Sequence, residues 1–428
     1  MRFSKSGVWT HYILCMFILS FYYLSYRYPL KYNSSETSFS YSDTPAIFQV
    51  GKYAIFAGFS YIIFMILLSF KKNVLLTKST WRDIALSLYI CLTSIIMFVI
   101  SKNDYVLQTG IFFITLVLFY IYPYKDINYR KIITCIRIFV YVSILMEAYQ
   151  LFNYYVNERL PALGYPNSTS VRFGSIWDDP NAFAMMVSFL FVFVMKDKMS
   201  RLKKLILLLS LFTILIYTLS LTGIAAVLLS FPIGYTVLYL VSHKKNYLKR
   251  LVKLFMLGIL IAAVYKFIVE PSAFFQDYMY SKQASIEARK VGFTYFNDIG
   301  SMLGFNAHPI GKYSETAYIN LLLNFGVIYL FAYLFVCIST IYRLALIIKN
   351  YNNHQFIQLF YAAFFFMMTF MLGMVNSPLD TVFPLNVILI ICIMLSYTKK
   401  LPTQPTLNKN TSKKKRKKLK IRFKKIVW

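Results

Sequence analysis

Charged residues are scarce in this sequence, and acidic residues are scarcer still. Only 14% of its 428 residues are charged, whereas a typical soluble domain has roughly 25%. Hydrophobic residues make up 58% of the chain. A soluble protein could not cover so much apolar surface with so few polar side chains, so the composition predicts a membrane protein.

Cysteine is also rare, and its positions exclude a disulfide framework or a zinc site. The five cysteines are isolated and lie inside apolar runs: Cys15, Cys91, Cys135, Cys337 and Cys392. Zinc sites and disulfide-rich folds need cysteines at paired spacings. We therefore expect no metal and no cofactor.

The shortage of acidic residues leaves a formal net charge of +30, from 46 Lys and Arg against 16 Asp and Glu. In a soluble protein this charge would indicate nucleic-acid binding. Here the basic residues lie in short loops between apolar runs and in a tail, residues 399–428, that has no acidic residue. This distribution is typical of orientation signals and of contact with anionic membrane lipids, so we expect no nucleic-acid partner.

Apolar runs near the length that crosses a bilayer, about 20 residues, recur along the chain. They predict an all-α, polytopic membrane protein with a single helical domain over residues 1–398 and a disordered, cytoplasmic tail. The twelve predicted transmembrane helices lie at residues 8–26, 51–70, 84–101, 107–124, 132–154, 181–195, 204–220, 221–241, 252–269, 316–342, 356–374 and 384–398.

The charges of the loops set the expected orientation of these helices. If the N-terminus is cytoplasmic, every second loop is rich in Lys and Arg, and the loops between them carry far less positive charge. The alternation requires a break between two helices at residues 220–223. It places both termini in the cytoplasm and two larger loops, about 155–180 and 270–315, on the outer face.

The end of the first outer loop has the features of a helix start. Asp179, Pro180 and Asn181 precede an apolar run, and they either cap the helix or bind a substrate. Arg172 lies a few residues earlier. A guanidinium near a helix N-terminus at the membrane surface suits a phosphate ligand, and its alternative role is a contact with lipid headgroups.

The second outer loop carries three more candidate residues. Arg289 and Lys290 lie in a segment of mixed apolar and charged residues that suits the membrane surface. There they would face either lipid headgroups or a phosphorylated substrate. His308 lies later in the loop and is either incidental or a helper in proton transfer.

Glu315 is placed where the second outer loop enters a long apolar helix. It follows Ser314, a predicted N-cap, and its spacing places it on one helix face with Tyr318. Ordinary capping of the helix is one role for this carboxylate. The other is proton transfer, since partial burial beside the membrane would make Glu315 a better acceptor of a proton from a sugar hydroxyl.

These motifs, taken in order, resemble the O-antigen polymerase and O-antigen ligase superfamily of bacterial membrane glycosyltransferases. The resemblance covers residues 165–330, about half of the chain, and the number of predicted spans fits the remainder. The matching residues are Arg172, Gly174, Pro180 and Asn181, then Ser220–Gly223, then Arg289 and Gly304–Asn306, and finally Glu315, Tyr318, Ile319 and Gly326.

The resemblance implies a metal-independent enzyme on the outer face of the bacterial plasma membrane. Such a polymerase joins undecaprenyl-pyrophosphate-linked oligosaccharide repeat units into capsular polysaccharide, O-antigen or exopolysaccharide. Its expected partners are the lipid-linked substrate, membrane lipids, a chain-length regulator and a flippase. Arg172, Arg289 and Lys290 would bind the pyrophosphate, Asp179, Asn181 and Tyr318 would help to hold the substrate, and Glu315 and His308 would be catalytic.

Two departures from the family pattern leave alternatives open. The arginine that the family places in the Ser/Thr-Arg-Gly motif is missing, because Thr222 is followed directly by Gly223. Glu315 stands where ligases typically have His, which favours a polymerase over an O-antigen ligase. A flippase or other transporter of lipid-linked oligosaccharides is the alternative from a different class, although transporters place charged residues in mid-membrane.

Overall fold

A computed structural model of the chain is entirely helical in its regular secondary structure over the residues that it describes. Residues 1–397 form one compact unit, and the predicted tail from residue 399 lies outside the described residues. The described residues are 7–25, 60–61, 63–64, 78–101, 104–122, 127–157, 173, 175, 180–264, 276, 283, 287, 316–352, 354–373 and 383–398.

Twelve complete helices lie within these ranges, and they account for nearly all of the described residues. In chain order they are α1 (Val8–Ser25), α2 (Lys78–Ser101), α3 (Asp104–Ile121), α4 (Tyr129–Tyr155), α5 (Pro180–Lys196), α6 (Arg201–Tyr217), α7 (Leu221–Ser242), α8 (Lys245–Val264), α9 (Ala317–Phe325), α10 (Val327–Tyr351), α11 (Ile357–Gly373) and α12 (Phe383–Ser396). Residues 60–61 and 63–64, inside the predicted second span, are also helical.

Four of the described helices are long and apolar enough to cross a membrane. Their apolar segments are Thr80–Val99, Tyr129–Tyr155, Thr222–Ser242 and Val327–Tyr351. Shorter apolar helices, including Asn181–Lys196 and Ile357–Gly373, pack between them. The all-helical architecture and these apolar segments agree with a membrane protein.

The helices form an up-and-down bundle whose two ends can be named from α5, which runs from Asn181 to Lys196. At the Lys196 end, Arg137 of α4 donates two hydrogen bonds of 2.7 Å to Asp197. At the Asn181 end of α4, Gln150 bonds the backbone of Ser175, just before α5. Helices α4 and α5 are therefore antiparallel.

The other helices continue this alternation. The turns before α6 and between α7 and α8 lie at the Lys196 end, where Lys349 near the end of α10 donates to the Val241 carbonyl of α7 at 2.9 Å. At the same end Asp83, in the second turn of α2, accepts hydrogen bonds from Arg343 of α10 and from Tyr397 after α12. The turn between α6 and α7 and the start of α9 lie at the Asn181 end.

The predicted break near Ser220 is present. Helix α6 ends at Tyr217 and α7 begins at Leu221, with Leu219 in the left-handed region at φ 44°. The Ser220 side chain accepts a hydrogen bond from the Gly223 amide at 3.1 Å and so caps α7. A short apolar sequence with one Ser and one Gly thus suffices to reverse the chain.

The prediction of one long helix over residues 316–342 is wrong. The structure has two helices, α9 and α10, which meet at Gly326 with φ 86° and ψ 173°. Only glycine adopts that conformation without strain, so the backbone direction changes there although both flanks are apolar. Tyr318 therefore lies on a separate helix of nine residues.

Several predicted cytoplasmic loops are helical extensions. Helix α8 begins at Lys245, not near residue 252, and α10 continues to Tyr351, beyond the predicted end at residue 342. In α8 the extension buries Tyr247 while its neighbours Lys249 and Arg250 stay exposed. Hydropathy marks only the part of a helix that is apolar enough for lipid, so it underestimates helices that project beyond the bilayer.

Candidate functional site

The described helix ends that flank the two predicted outer loops lie at the Asn181 end of the bundle. The first lies between the end of α4 and the start of α5, and the second lies between the end of α8 and the start of α9. The four helix ends that flank these loops are thus on the same side. We take this end as the candidate site.

Two of the eight predicted site residues are described by the structure, namely Asn181 and Tyr318. The other six lie outside the described residues: Arg172, Asp179, Arg289, Lys290, His308 and Glu315. The helix predicted to start around Pro180 does start there.

Asn181 connects the start of α5 to the start of α7. Its side-chain oxygen accepts a hydrogen bond of 2.7 Å from the Ser220 hydroxyl. Because Ser220 also caps α7 through the Gly223 amide, one hydroxyl orients Asn181 and fixes the entry into the next helix. Asn181 is half-buried.

Gly223 allows α5 and α7 to approach closely beside Asn181. A Cβ atom at this position would lie 2.5 Å from the Ala184 Cβ and 2.8 Å from the Ser220 Oγ. Small residues at such contacts let helix backbones come together in membranes. The glycine that the sequence analysis matched to a family motif therefore has a packing role in this chain.

We expect Gly223→Ala to lower the free energy of unfolding by about 1–3 kcal/mol, because the added methyl group overpacks the α5–α7 contact. Ala184→Gly alone should also destabilise, by about 1 kcal/mol, since glycine weakens a helix. The double variant should be no less stable than Gly223→Ala, because the clashing methyl group is gone. Thermal unfolding of the purified protein in detergent measures all three, and strictly additive losses would contradict the contact.

Tyr318 connects the start of α9 to the end of α11. Its hydroxyl donates a hydrogen bond to the Met371 carbonyl. Two residues further along α11, a Cβ atom on Gly373 would lie 2.5 Å from the Met185 Cε, so the end of α11 also packs tightly on the first turns of α5. Asn181 and Tyr318 are thereby held at the same end of the bundle.

The start of α9 differs from the prediction by two residues. The N-cap is Thr316, not Ser314, and the first helical residue is Ala317. Thr316 makes no hydrogen bond to the helix amides through its side chain, and both Thr316 and Ala317 are buried. Glu315 therefore directly precedes a cap residue that is itself enclosed by the bundle.

The chain on either side of Gly174 is anchored to α4 and α6. The Phe173 amide donates to the Tyr217 carbonyl at 3.1 Å, and the Phe173 ring packs edge-on against Tyr154 and Tyr217. Ser175, at φ 53°, exchanges two hydrogen bonds with Gln150. Arg172 thus immediately precedes a buried, doubly anchored residue.

Glu147 is the one acidic residue buried in the middle of a described apolar helix. It is 2% exposed, and neither carboxylate oxygen makes a hydrogen bond to a described residue. The neighbouring Ser175 amide acts on it electrostatically but donates its hydrogen bond to Gln150 at 3.1 Å. The sequence showed that Glu147 lies inside an apolar span, but it did not show that Glu147 is close to Ser175 and thus to the first loop.

The described residues offer no metal site and few charges at this end. They contain no group of three or more His, Cys, Asp or Glu side chains arranged to hold a metal ion. The polar groups that pack around Asn181, Ser175 and Tyr318 are amides, hydroxyls and the buried Glu147, while the exposed Glu287 belongs to the second predicted loop. Such groups can orient sugar hydroxyls by hydrogen bonding, while the predicted charged residues lie in the adjoining loops.

Comparison with known proteins does not extend this description. No protein-family model matches the chain, and no curated protein sequence matches it.

Proposed function

We propose that the chain is a polymerase that joins polyprenyl-pyrophosphate-linked oligosaccharide repeat units at the outer face of a bacterial plasma membrane. In this proposal the bundle crosses the membrane twelve times and both termini are cytoplasmic. The product is a surface polysaccharide such as capsule, O-antigen or exopolysaccharide. The resemblance of the motifs between residues 165 and 330 is the starting point for the proposal.

The main support for the proposal is that the helix ends flanking both candidate loops lie at one end of the bundle, the Asn181 end. There Asn181 bonds to Ser220 and Tyr318 bonds to the Met371 carbonyl, and α11 packs closely on α5. Residues 172, 289 and 315 are far apart in sequence, but their loops are attached to the same end. A single substrate with two phosphates and a sugar can therefore contact residues of both loops.

The chemistry of the proposed reaction fits such a boundary site. The acceptor hydroxyl oxygen bonds to the anomeric carbon of the donor glycan, and the bond from that carbon to the pyrophosphate oxygen breaks. Glu315, with His308 as a helper, takes the proton of the acceptor hydroxyl. Arg172, Arg289 and Lys290 bind the pyrophosphate and stabilise the charge that develops as it leaves.

The distribution of charge supports the proposed orientation. Described Lys and Arg residues are concentrated at the Lys196 end, including the segment from Lys196 to Lys204 and the turn around Lys244. Loops rich in Lys and Arg stay on the cytoplasmic side of membrane proteins. The Asn181 end would then face the outside, where lipid-linked repeat units are polymerised in the families that the motifs resemble.

Glu147 is the observation that favours the alternative, a transporter of lipid-linked oligosaccharides. Buried carboxylates in membrane helices often mark ion or substrate pathways. The remaining acidic groups that are buried in the described helices lie at the Lys196 end and have basic partners. One unpaired carboxylate beside the first loop is compatible with either class, so the experiment must separate joining from translocation.

The test uses cells that lack the protein but retain the rest of the pathway. We expect them to accumulate single repeat units on the lipid carrier and to expose those units on the outer leaflet, where a membrane-impermeant glycosidase or lectin reaches them. Complementation with the intact chain should restore long polymer. Units that remain inaccessible from outside would instead assign the chain to translocation and overturn the polymerase proposal.

A further inference from the structure

An apolar cavity lies among α5, α6, α7 and α8 and runs along the middle of these helices. Its volume is about 480 Å³, within the ~300–1,000 Å³ typical of ligand pockets. The lining side chains are almost entirely hydrocarbon or aromatic and include Phe191, Met195, Phe212, Tyr235 and Leu254. Met195 of α5 and Tyr235 of α7 are its lining residues nearest the Lys196 end.

Two residues on the cavity wall, Pro232 and Gly258, lack a flexible side chain. Pro232 lies inside α7, where its ring prevents the regular backbone hydrogen bond to Leu228, another lining residue. Gly258 of α8 has no side chain, and a Cβ atom placed there would have no heavy atom within 4 Å. The space is therefore wide enough to accept a hydrocarbon chain beside Gly258.

The Lys196 end of the cavity is bordered by two cations and three tyrosines. The Lys196 ammonium lies 4.1 Å from the centroid of the Tyr361 ring. The Arg250 guanidinium lies 5.6 Å from the Tyr235 ring and 6.0 Å from the Tyr247 ring. Met195 and Tyr235 line the cavity, so the cations border its apolar wall directly.

The tyrosines of this cluster are fixed by hydrogen bonds to one another. Tyr361 donates to the Asn352 side-chain oxygen at 2.8 Å and therefore accepts from the Tyr247 hydroxyl, also at 2.8 Å. Tyr247 and Tyr361 are almost fully buried. The aromatic faces that support Lys196 and Arg250 are thus held in place before any ligand binds.

Acidic residues in the described part of this end are engaged elsewhere. Asp197 receives two hydrogen bonds from Arg137, and Asp83 is paired with Arg343 and Arg82. The charged groups that act on Lys196 are Arg250 and Lys204, both of which repel it.

The cluster therefore combines positive charge with an adjoining apolar space. Cations that lie close together without a carboxylate between them favour an anion as the third partner. Because the space next to them is lined by hydrocarbon and is open beside Gly258, the matching ligand has an anionic head and an apolar chain.

We propose that this cavity binds an anionic phospholipid, with its phosphate between Lys196 and Arg250 and one acyl chain along Phe191, Pro232 and Gly258. Basic pockets between transmembrane helices on the cytoplasmic side are known to bind such headgroups. The site binds lipid from the leaflet at the Lys196 end, and it does not depend on the polymerase proposal. Lipid binding there stabilises the contacts among α5, α7, α8 and α11.

Thermal unfolding of the purified full-length protein in a neutral detergent tests this site. We expect added phosphatidylglycerol to raise the unfolding temperature, while phosphatidylcholine and inorganic phosphate at the same concentration do not. The Lys196→Gln/Arg250→Gln double variant should need about tenfold more phosphatidylglycerol, or more still, for the same rise. Gly258→Leu should have the same effect by filling the cavity while leaving both cations in place.

The matched control is Lys203→Gln, which removes another lysine from the same end. Lys203 lies over the ring of Tyr141, 5.2 Å away, outside the cluster. Phosphatidylglycerol should therefore raise the unfolding temperature of the Lys203→Gln variant as much as that of the intact protein. Equal responses in all variants would show non-specific binding to the basic surface and overturn the site. Stronger binding of a polyprenyl phosphate than of phosphatidylglycerol would overturn the assigned occupant, and a response to inorganic phosphate alone would overturn the role of the cavity.

Discussion

Replacing Glu315 by Gln is expected to lower the rate of repeat-unit joining by at least about 100-fold, the typical contribution of a general base. The amide retains the size of the carboxylate but cannot accept the proton of the acceptor hydroxyl. Binding of the pyrophosphate should change little, because the proposed phosphate ligands are the arginines. Cells carrying the variant should therefore display single repeat units where the intact protein gives long polymer.

The control for Glu315→Gln is Glu287→Gln. Glu287 belongs to the same loop and is exposed, so its substitution removes an equal charge from the same side of the membrane. We expect Glu287→Gln to leave the polymer length unchanged. Full-length polymer in cells with Glu315→Gln, at normal membrane levels of the variant, would remove Glu315 from the reaction.

Replacing Arg172 by Ala is expected to reduce the joining rate by about 100- to 1,000-fold, the usual cost of removing a group that stabilises developing charge. Arg172 immediately precedes Phe173, whose amide and ring are fixed on Tyr217 and Tyr154. An anchored neighbour limits the positions that the guanidinium can reach. Lys at this position should restore only part of the activity, because an ammonium cannot bind two phosphate oxygens in a planar fork.

Arg159→Ala is the matched control for Arg172→Ala, since Arg159 lies in the same loop and carries the same charge. A general attraction between the loop and anionic lipid would make both variants equally defective. Binding of the substrate pyrophosphate by Arg172 predicts that only Arg172→Ala loses activity. Equal activity of the two variants would therefore show that Arg172 does not bind the substrate pyrophosphate.

The sequence predicted the helical class and the alternation of the helices because both depend on local composition. Hydropathy finds apolar helices, and the loop charges showed that the run from 205 to 241 must be two helices. The capped turn at Ser220 confirms that reasoning. The break at Gly326 was missed, because a glycine within a continuous apolar run leaves no change in polarity to detect.

The candidate site was only partly accessible to sequence reasoning. Asn181 and Tyr318 were selected as polar residues at helix starts, but their partners, Ser220 and the Met371 carbonyl, belong to distant helices. A backbone carbonyl leaves no signature in a sequence. The link between the two residues through Gly373 and Met185 depends on the packing of α11 against α5, which no local pattern specifies.

The basic residues at the Lys196 end show a further limit of reasoning from the sequence. Their number and spacing indicated the orientation of the chain, and this interpretation treated them all alike. The structure separates Arg137, which pairs with Asp197, from Lys196 and Arg250, which border an apolar cavity. The positions of tyrosines on α7, α8 and α11 distinguish these roles.

The central claim is that the chain itself joins lipid-linked repeat units at its Asn181 end. Its most direct test is an assay of the purified protein in lipid vesicles. The vesicles contain a single kind of polyprenyl-pyrophosphate-linked repeat unit and no other protein. We predict a ladder of products that differ by whole repeat units, released polyprenyl pyrophosphate, and neither product with Glu315→Gln. Transfer of the intact lipid-linked unit across the vesicle membrane, with no lengthened product, would contradict the account.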